Sequence, residues 1–381
     1  MPLKDSTPLW KSANLFGRTS ERSETMTPKI LKSWRMLEPG KLAYCETPMP
    51  ALSAGEALVE IRGCGVCHTD LSYYYMGVPT VNNPPITLGH EISGVVVAAD
   101  SNDLVGREVI VPALLPCRNC EICRSGRGTR CLKQRMPGNS MEVFGGYASH
   151  IPVPANELCI VPERRGIPLE HLAVVADAIA TPYHAAQRAE LGPGDLVVVI
   201  GAAGGVGSFM TQIAKGMGAR AVIGIDLNES KLALLSRHGA DFTINPKGKS
   251  AKEIKEIIKT WCKGENLPAN FGWKIFEVSG TKPGQELAQA LLSFVGKLIV
   301  VGYGTDETSY MMSKLMAFEA DMIGVWGCLP EDYPKVLQLC LDGKIALEPF
   351  VETRPMSQIE QVFDDAHHGK LKKRVVLTPD F

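Results

Sequence analysis

From Gly192-Pro193-Gly194-Asp195 onward the chain alternates short, mainly apolar runs with helical stretches, and that rhythm restricts the fold more than any other feature. The runs are Leu196–Ile200, Ala221–Ile225, Phe242–Ile244, Lys274–Val278, Lys297–Val301 and about Met322–Trp326, with helices such as Lys231–Arg237 and Ile254–Trp261 between them. A strand that is apolar on both sides has to be covered on both faces. A parallel sheet flanked by helices provides that cover, whereas a half-exposed antiparallel sheet does not. Six such strands predict a complete doubly wound parallel sheet.

Residues from about 30 to 165 have a different texture. Ala57–Ile61, Ile92–Val97 and Glu108–Val111 are β-branched runs of strand length broken by Gly and Pro, which predicts a mostly antiparallel, partly closed β-structure. The pattern turns helical at Pro168 and stays so to about residue 189, with Leu169, Leu172, Ala173 and Ala176 at three-to-four spacing. Beyond Gly327, a helix near Tyr333–Leu341, a strand around Phe350–Thr353 and a closing strand Arg374–Leu377 are expected to return to the first domain. The expected division is 27–177, 178–326 and 327–381. Residues 1–26 read as a disordered extension, with Met26 as an alternative start.

A chain of 381 residues has room for two substantial cores. Its net charge of -1 argues against nucleic acid or a membrane surface as the partner. No run approaches the ~20 apolar residues of a membrane helix. The first residues lack the apolar core of a secretory signal, so a cytoplasmic location is expected. In a reducing compartment, clustered cysteines point to metal and scattered ones to packing.

Three constellations carry chemistry. Cys117-x2-Cys120-x2-Cys123-x7-Cys131 places four thiols where they can close around one zinc with no open position, a structural site. Arg118, Arg124, Arg127, Arg130, Lys133 and Arg135 are expected to offset its negative charge. Cys67, His90 and Glu91, set in Cys67-His68-Thr69-Asp70 and Gly89-His90-Glu91, supply a thiol, an imidazole and a carboxylate for a second, open metal site. Cys64, three residues before Cys67, raises a redox dithiol. That motif belongs at a helix start, and the flanking Gly63 and Gly65 argue against a helix there, so Cys64 reads as a packed residue. Third, Leu196–Ile200 runs into Gly201-Ala202-Ala203-Gly204-Gly205-Val206-Gly207, a turn that lets backbone approach a pyrophosphate at a helix N-terminus. Asp226 ends the next strand, where a carboxylate accepts from adenosine ribose hydroxyls and repels a 2′-phosphate, which favours NAD over NADP.

Gly63–Asp70, Gly89–Glu91, the four-cysteine lobe and the glycine turn follow the order of the zinc-dependent medium-chain alcohol dehydrogenases, and the chain resembles that family from about residue 30 to 381. The resemblance implies an α/β architecture in which a GroES-like β-rich catalytic domain is interrupted by a Rossmann domain. It also implies two zinc ions per chain, NAD, and a homodimer or homotetramer. Position by position, it implies Cys67, His90 and Asp177 as ligands of the catalytic zinc, with Asp177 standing where the family often has cysteine. Glu91 becomes a carboxylate able to enter the coordination shell. Thr69 becomes the hydroxyl that takes the alcohol proton after zinc has lowered its pKa, as hydride passes to the nicotinamide. His68, Thr181 and Arg374 become cofactor contacts, together with Gly201, Ala203, Gly204, Gly205, Val206, Gly207 and Asp226. Where many members end the proton relay with histidine, this chain has Ser72, which can relay a proton but cannot hold one near neutral pH.

Three further stretches, Tyr73–Asn82, Met136–Met141 and Phe350–Met356, resemble those of members of that family that act on a ring alcohol carried as an acyl-CoA, and the resemblance implies oxidation of such a secondary alcohol. Aromatic residues beside the metal loop fit a cyclic substrate better than ethanol, although each tyrosine equally fits a subunit contact. The basic cluster 118–135 suits coenzyme A phosphates or simply a solvated surface. The competing expectations are a general secondary-alcohol or polyol dehydrogenase and a non-catalytic zinc- and NAD-binding protein.

Overall fold

Strand Glu56–Gly65 runs through the middle of a seven-stranded sheet, and every other part of the catalytic half is placed relative to it. The computed structural model describes residues 28–381, so the expected extension 1–26 lies outside the described residues. The sheet order is Val351–Pro355, Arg374–Thr378, Glu56–Gly65, Glu91–Ala99, Glu108–Val111, Cys159–Ile160, with His150–Pro154 also pairing to the central strand. Its pairings are antiparallel except the outermost, Val351–Pro355 with Arg374–Thr378. Val59, Ile61, Ile92, Val96, Val109, Val111, Ile151 and Val153 are buried on its core face. β-Branched side chains of this kind pack well on a pleated surface. A smaller sheet, Lys41–Pro48, Ile30–Glu38 and Ile86–Thr87, lies beside it.

The second half forms a six-stranded parallel sheet in the order Phe242–Ile244, Ala221–Ile225, Leu196–Ile200, Trp273–Glu277, Lys297–Val300, Asp321–Gly324. Numbered along the chain this is 3-2-1-4-5-6, the doubly wound order. The order reverses between Leu196–Ile200 and Trp273–Glu277, so a crevice opens at the carboxyl ends of those strands. Their residues are buried throughout, as two-sided cover requires. Among the described residues no helix is long and apolar enough to cross a membrane.

The structure departs from the sequence-based expectations in three places. The helical stretch from Pro168 is not one α-helix: a 3₁₀ helix spans Glu170–Ala176, the chain breaks at Asp177 (φ -141°, ψ -57°), and an α-helix begins at Ala180. Asp177 leaves helical geometry because its carboxylate is held by partners outside the helix. Second, a helix does start beside the Cys64–Cys67 pair. Gly65 ends the strand, and Cys67 caps helix His68–Tyr75 with its own N–H donated to Asp70 Oδ2 at 3.3 Å. Cys64 is nonetheless fully buried, with its thiol pKa pushed up by desolvation, so it packs rather than reacts. Third, the last parallel strand stops at Gly324, which frees Val325 and Trp326 to line the crevice.

Candidate active site

The break at Asp177 brings its carboxylate against Cys67 from the end of strand Glu56–Gly65 and His90 from the turn before strand Glu91–Ala99. Cys67 Sγ and His90 Nε2 each lie 3.6 Å from Asp177 Oδ2, and ligand atoms of Cys67, His90, Glu91 and Asp177 all fall within 4.8 Å of one another. Bonds of ~2.3 Å to sulfur and ~2.0 Å to oxygen or nitrogen in a tetrahedron set such atoms about 3.3–3.5 Å apart, so the donor set fits zinc. The electrostatics agree. Burial alone would lower the His90 pKa, yet Asp70 and Asp177 hold it well above the ordinary value. Burial likewise opposes ionisation of Asp177, but His90 and the Thr181 hydroxyl outweigh it and pull the carboxyl down to about 2. The cluster is built to attract positive charge.

Around this cluster each side chain has a fixed neighbour. Asp70 is fully buried and accepts from the Gly89 N–H at 3.0 Å and from Tyr147 OH at 2.9 Å, while His90 Nδ1 sits 3.3 Å from its Oδ1. A carboxylate behind a ligating imidazole orients the ring. Glu91 is fully buried and gripped bidentately by Arg374, with Nε to Oε2 at 2.9 Å and Nη2 closing on Oε1. Burial lifts the Glu91 carboxyl to about 6 while Arg374 holds it down, so it stays ionised at neutral pH. Thr69 Oγ1 lies 3.6 Å from Cys67 Sγ and faces the cleft. Ser72 Oγ donates to the Thr69 carbonyl at 2.7 Å and lines the same cleft.

The second metal group is equally well formed. Cys120 Sγ lies 3.5 Å from Cys123 Sγ and 3.8 Å from Cys131 Sγ, and the N–H groups of Cys117 and Lys133 point at Cys131 Sγ from 3.2 Å. A tetrahedral zinc with ~2.3 Å bonds to sulfur needs sulfurs about 3.8 Å apart. Backbone N–H groups of Cys123 and Leu132 pull Cys120 down to about 6, while burial and the neighbouring thiols push Cys123 up to about 12, as expected of thiols crowded together. All eleven cysteines are free. The basic side chains do not all serve the sulfurs: Arg118 grips Glu157 at 2.6 Å on both oxygens and reaches Glu331, and Arg135 reaches Glu56.

The crevice of the parallel sheet meets the metal cluster in one cleft of about 450 Å³, lined among others by Cys67, His90, Asp177, Gly204, Asp226 and Arg374. At Gly207 a Cβ would come 2.0 Å from the Gly201 carbonyl oxygen, and at Gly205 it would come 2.2 Å from Arg374 Nη1. The glycines thus let helix Gly205–Gly216 start against its own strand, with a guanidinium lying on the turn. Gly201, Ala203 and Val206 complete that turn, and Asp226 Oδ2 fixes it by accepting from the Ala203 N–H at 2.9 Å. His68 lies on the same wall, its pKa lowered by desolvation and by Arg374. These residues fit a dinucleotide pyrophosphate and ribose.

Residues 53–163 match the alcohol dehydrogenase GroES-like domain, and residues 205–342 match the zinc-binding dehydrogenase family. An alcohol dehydrogenase of Geobacillus stearothermophilus is 32% identical over 339 residues, spanning 88% of this chain and 95% of its own. The chain belongs to the zinc-binding alcohol dehydrogenase family. It is an oxidoreductase that uses zinc and a nicotinamide dinucleotide, with the GroES-like and Rossmann architecture of that family. The NAD-dependent alcohol dehydrogenase of Sulfurisphaera tokodaii is 28% identical, spanning 92% of this chain and 100% of its own. Galactitol-1-phosphate dehydrogenase from Escherichia coli superposes with a TM-score of 0.81 at 27% identity, covering 91% of this chain and 100% of that one. Acetophenone reductase from Geotrichum candidum, solved with NAD, gives 0.79 at 26% identity, covering 92% and 98%.

Within this alcohol dehydrogenase several working residues are not evident from the sequence. Lys231 lines a neighbouring pocket together with Gly204, Gly205 and Arg374, and burial lowers its pKa. His367 reaches the cleft wall from helix Ile359–His367, stacked on Tyr75 with ring centroids 4.2 Å apart. Tyr333, fully buried, accepts from the Ala113 N–H at 3.0 Å and donates to the carbonyl of Ala176, the residue before Asp177. It fixes the backbone from which that ligand projects. Only the short apolar run Tyr333–Leu341 marks it in the sequence, and nothing there names its partners.

Two outcomes follow from this geometry. Cys120→Ser removes one sulfur of the closed site, so one of two zincs should be lost and the thermal midpoint should fall by at least several degrees. A stable but inactive variant would contradict a structural role. Tyr333→Phe should weaken the catalytic zinc by about ten-fold or more while the four-sulfur zinc is retained. Chelator competition with zinc counting reads this, and equal loss of both metals would contradict it.

Proposed function

We propose that the chain oxidises a secondary ring alcohol carried as a coenzyme A thioester, with NAD as acceptor. This is the reaction of 6-hydroxycyclohex-1-ene-1-carbonyl-CoA dehydrogenase of anaerobic aromatic degradation, which the stretches Tyr73–Asn82, Met136–Met141 and Phe350–Met356 resemble. The observation that supports it is a second chamber of about 370 Å³ sharing Thr69, Ser72, Met136, Tyr303 and Trp326 with the metal cleft. Its walls include Tyr73, Val78, Pro79 and Leu132. These side chains give an apolar ring a surface to pack on, while Asn139, Ser140 and Gln134 line the same chamber. Of the three consecutive tyrosines, Tyr73 serves this chamber, its hydroxyl accepting from Asn139 Nδ2 at 2.6 Å. Tyr74 turns to the Gly40 carbonyl, and Tyr75 stacks on His367.

In this reading Cys67, His90 and Asp177 hold the catalytic zinc, Glu91 stands by as an auxiliary carboxylate, and the four-cysteine lobe holds the structural one. When bound, zinc supplies a Lewis acid that lowers the pKa of the alcohol, and the nicotinamide supplies the hydride acceptor. Thr69 Oγ1 accepts the alcohol proton. That proton leaves toward the open side of the cleft, where His68 and His367 face it. Thr181 and Arg374 border the cofactor, and Asp226 favours NAD over the phosphorylated form by charge. Free thiols throughout fit a cytoplasmic location.

The test is NADH formation from cyclic acyl-CoA alcohols against free cyclohexenol and polyols. The thioester should be preferred by at least ten-fold in kcat/KM, and Cys67→Ser should abolish turnover. Equal or better rates with polyols would favour the general dehydrogenase, and no turnover on any alcohol would favour a binding protein.

A second copy of the chain is proposed to pair along strand Asp321–Gly324. That strand has one neighbour, Lys297–Val300, and is largely exposed, with Met311, Met312, Met316 and Met322 exposed beside it. An open apolar edge is a template for pairing. Light scattering should give a dimer or tetramer, and a monomer at micromolar concentration would overturn this assembly.

A further inference from the structure

We propose that Arg130 is the residue that recognises a phosphate-bearing arm of the substrate at the outer end of the second chamber, an inference that rests on the thioester reading above. Five residues shared by the two chambers make the space continuous, so a molecule reacting beside Cys67 and His90 can extend past Thr69 toward the four-cysteine lobe. There the wall changes character. It is closed by Arg130, Cys131, Leu132 and Gln134. Gln134 is already committed, donating to the Thr129 carbonyl at 2.5 Å, and Leu132 has no polar group to offer. Arg130 is the charged group on that wall.

Among the described residues Arg130 has no carboxylate within 4.0 Å, a state it shares with other arginines such as Arg127 and Arg188; its position on the chamber wall and its aromatic neighbour set it apart. Its guanidinium instead lies over the Trp326 ring, 5.0 Å from the centroid. Stacking on an indole face fixes the plane of the guanidinium and leaves its edge N–H groups free to form a bidentate pair with a phosphate. The position is also rigid. Arg130 closes the 3₁₀ turn Gly128–Arg130 immediately before Cys131, so the sulfur cluster anchors its backbone. Arg127 and Lys133 flank it, likewise without a carboxylate partner among the described residues, and raise the local positive potential. The dinucleotide cannot be the intended anion here. Its turn, Gly201–Gly207, lines the metal cleft and none of it lines the second chamber.

The experiment uses the zinc-loaded enzyme and two probes, the coenzyme A thioester of a cyclic alcohol and its N-acetylcysteamine thioester, which carries no phosphate. In wild type the coenzyme A form should have the lower KM, and that advantage should shrink with salt. Arg130→Gln should shift the ratio of the two KM values by about ten-fold, with kcat for the coenzyme A form changed less than its KM. Arg130→Lys, which keeps charge without the fork, should recover part of the ratio. A uniform change on both thioesters, or none, would mean that Arg130 only packs against Trp326, and the proposal would fail.

Calorimetric titration of free coenzyme A into wild type and Arg130→Gln, each saturated with NADH, separates this proposal from the substrate reading. Binding lost in the variant supports the phosphate site even if ring alcohols prove not to be substrates. No binding to wild type overturns the site even if ring alcohols are oxidised.

Discussion

The ion pair between Glu91 and Arg374 holds the two functions of the site in one geometry. Glu91 is in the candidate metal cluster and Arg374 lies on the glycine turn, so a single bidentate contact ties that cluster to that turn. Both side chains are largely withdrawn from water. Removing either partner of such a pair leaves an uncompensated buried charge, a loss on the order of 3–5 kcal/mol. The pair therefore adds little net stability but strongly penalises any arrangement in which the two halves of the site drift apart. Arg374 also answers the negative charge of Glu91, which in the proposed reading keeps that carboxylate in reserve behind Cys67, His90 and Asp177.

Asp177 would give the centre its particular chemistry. A carboxylate would preserve the charge that a second thiolate brings, so a zinc held by Cys67, Asp177 and neutral His90 would be formally neutral. Oxygen is a harder donor than sulfur and would leave such a metal a stronger Lewis acid. The local backbone is shaped around this choice. The 3₁₀ helix Glu170–Ala176 stops, Asp177 turns out of helical geometry, Thr181 donates to it from one turn on, and Tyr333 holds the preceding carbonyl.

Features carried by neighbours in sequence are legible from the residues alone. The four cysteines lie within one lobe, so their spacing names a closed metal site. The glycine turn follows its strand directly, and six apolar runs announce a two-sided sheet. What the sequence conceals depends on partners far along the chain or on single hydrogen bonds. Arg374 reads as a cofactor contact, and nothing local reveals that Glu91, 283 residues away, is its partner. The helical pattern through 168–189 is real as periodicity, but it carries no sign that Asp177 abandons it for side-chain partners. Gly63 and Gly65 argue against a helix beside Cys67, yet the Asp70 side chain supplies the cap that starts one. The serine at position 72 looks like a relay by residue type, and nothing in the sequence shows that its hydroxyl donates to the Thr69 carbonyl.

The order of strands in the catalytic sheet has a consequence for how the protein is made. Strand Glu56–Gly65 emerges early from the ribosome, but its neighbour Arg374–Thr378 is among the last segments synthesised. His150–Pro154 covers one edge of the strand over Glu56–Glu60, so until then only its Cys64–Gly65 end lacks a partner on that side, and Glu91 has no counter-charge from Arg374. The parallel sheet between them is contiguous in sequence and can fold first, as a self-sufficient unit during translation. Long-range strand closure of this kind is intrinsically slow and exposes an edge to other chains. The Glu91–Arg374 contact can thus form only after nearly the whole chain has been made.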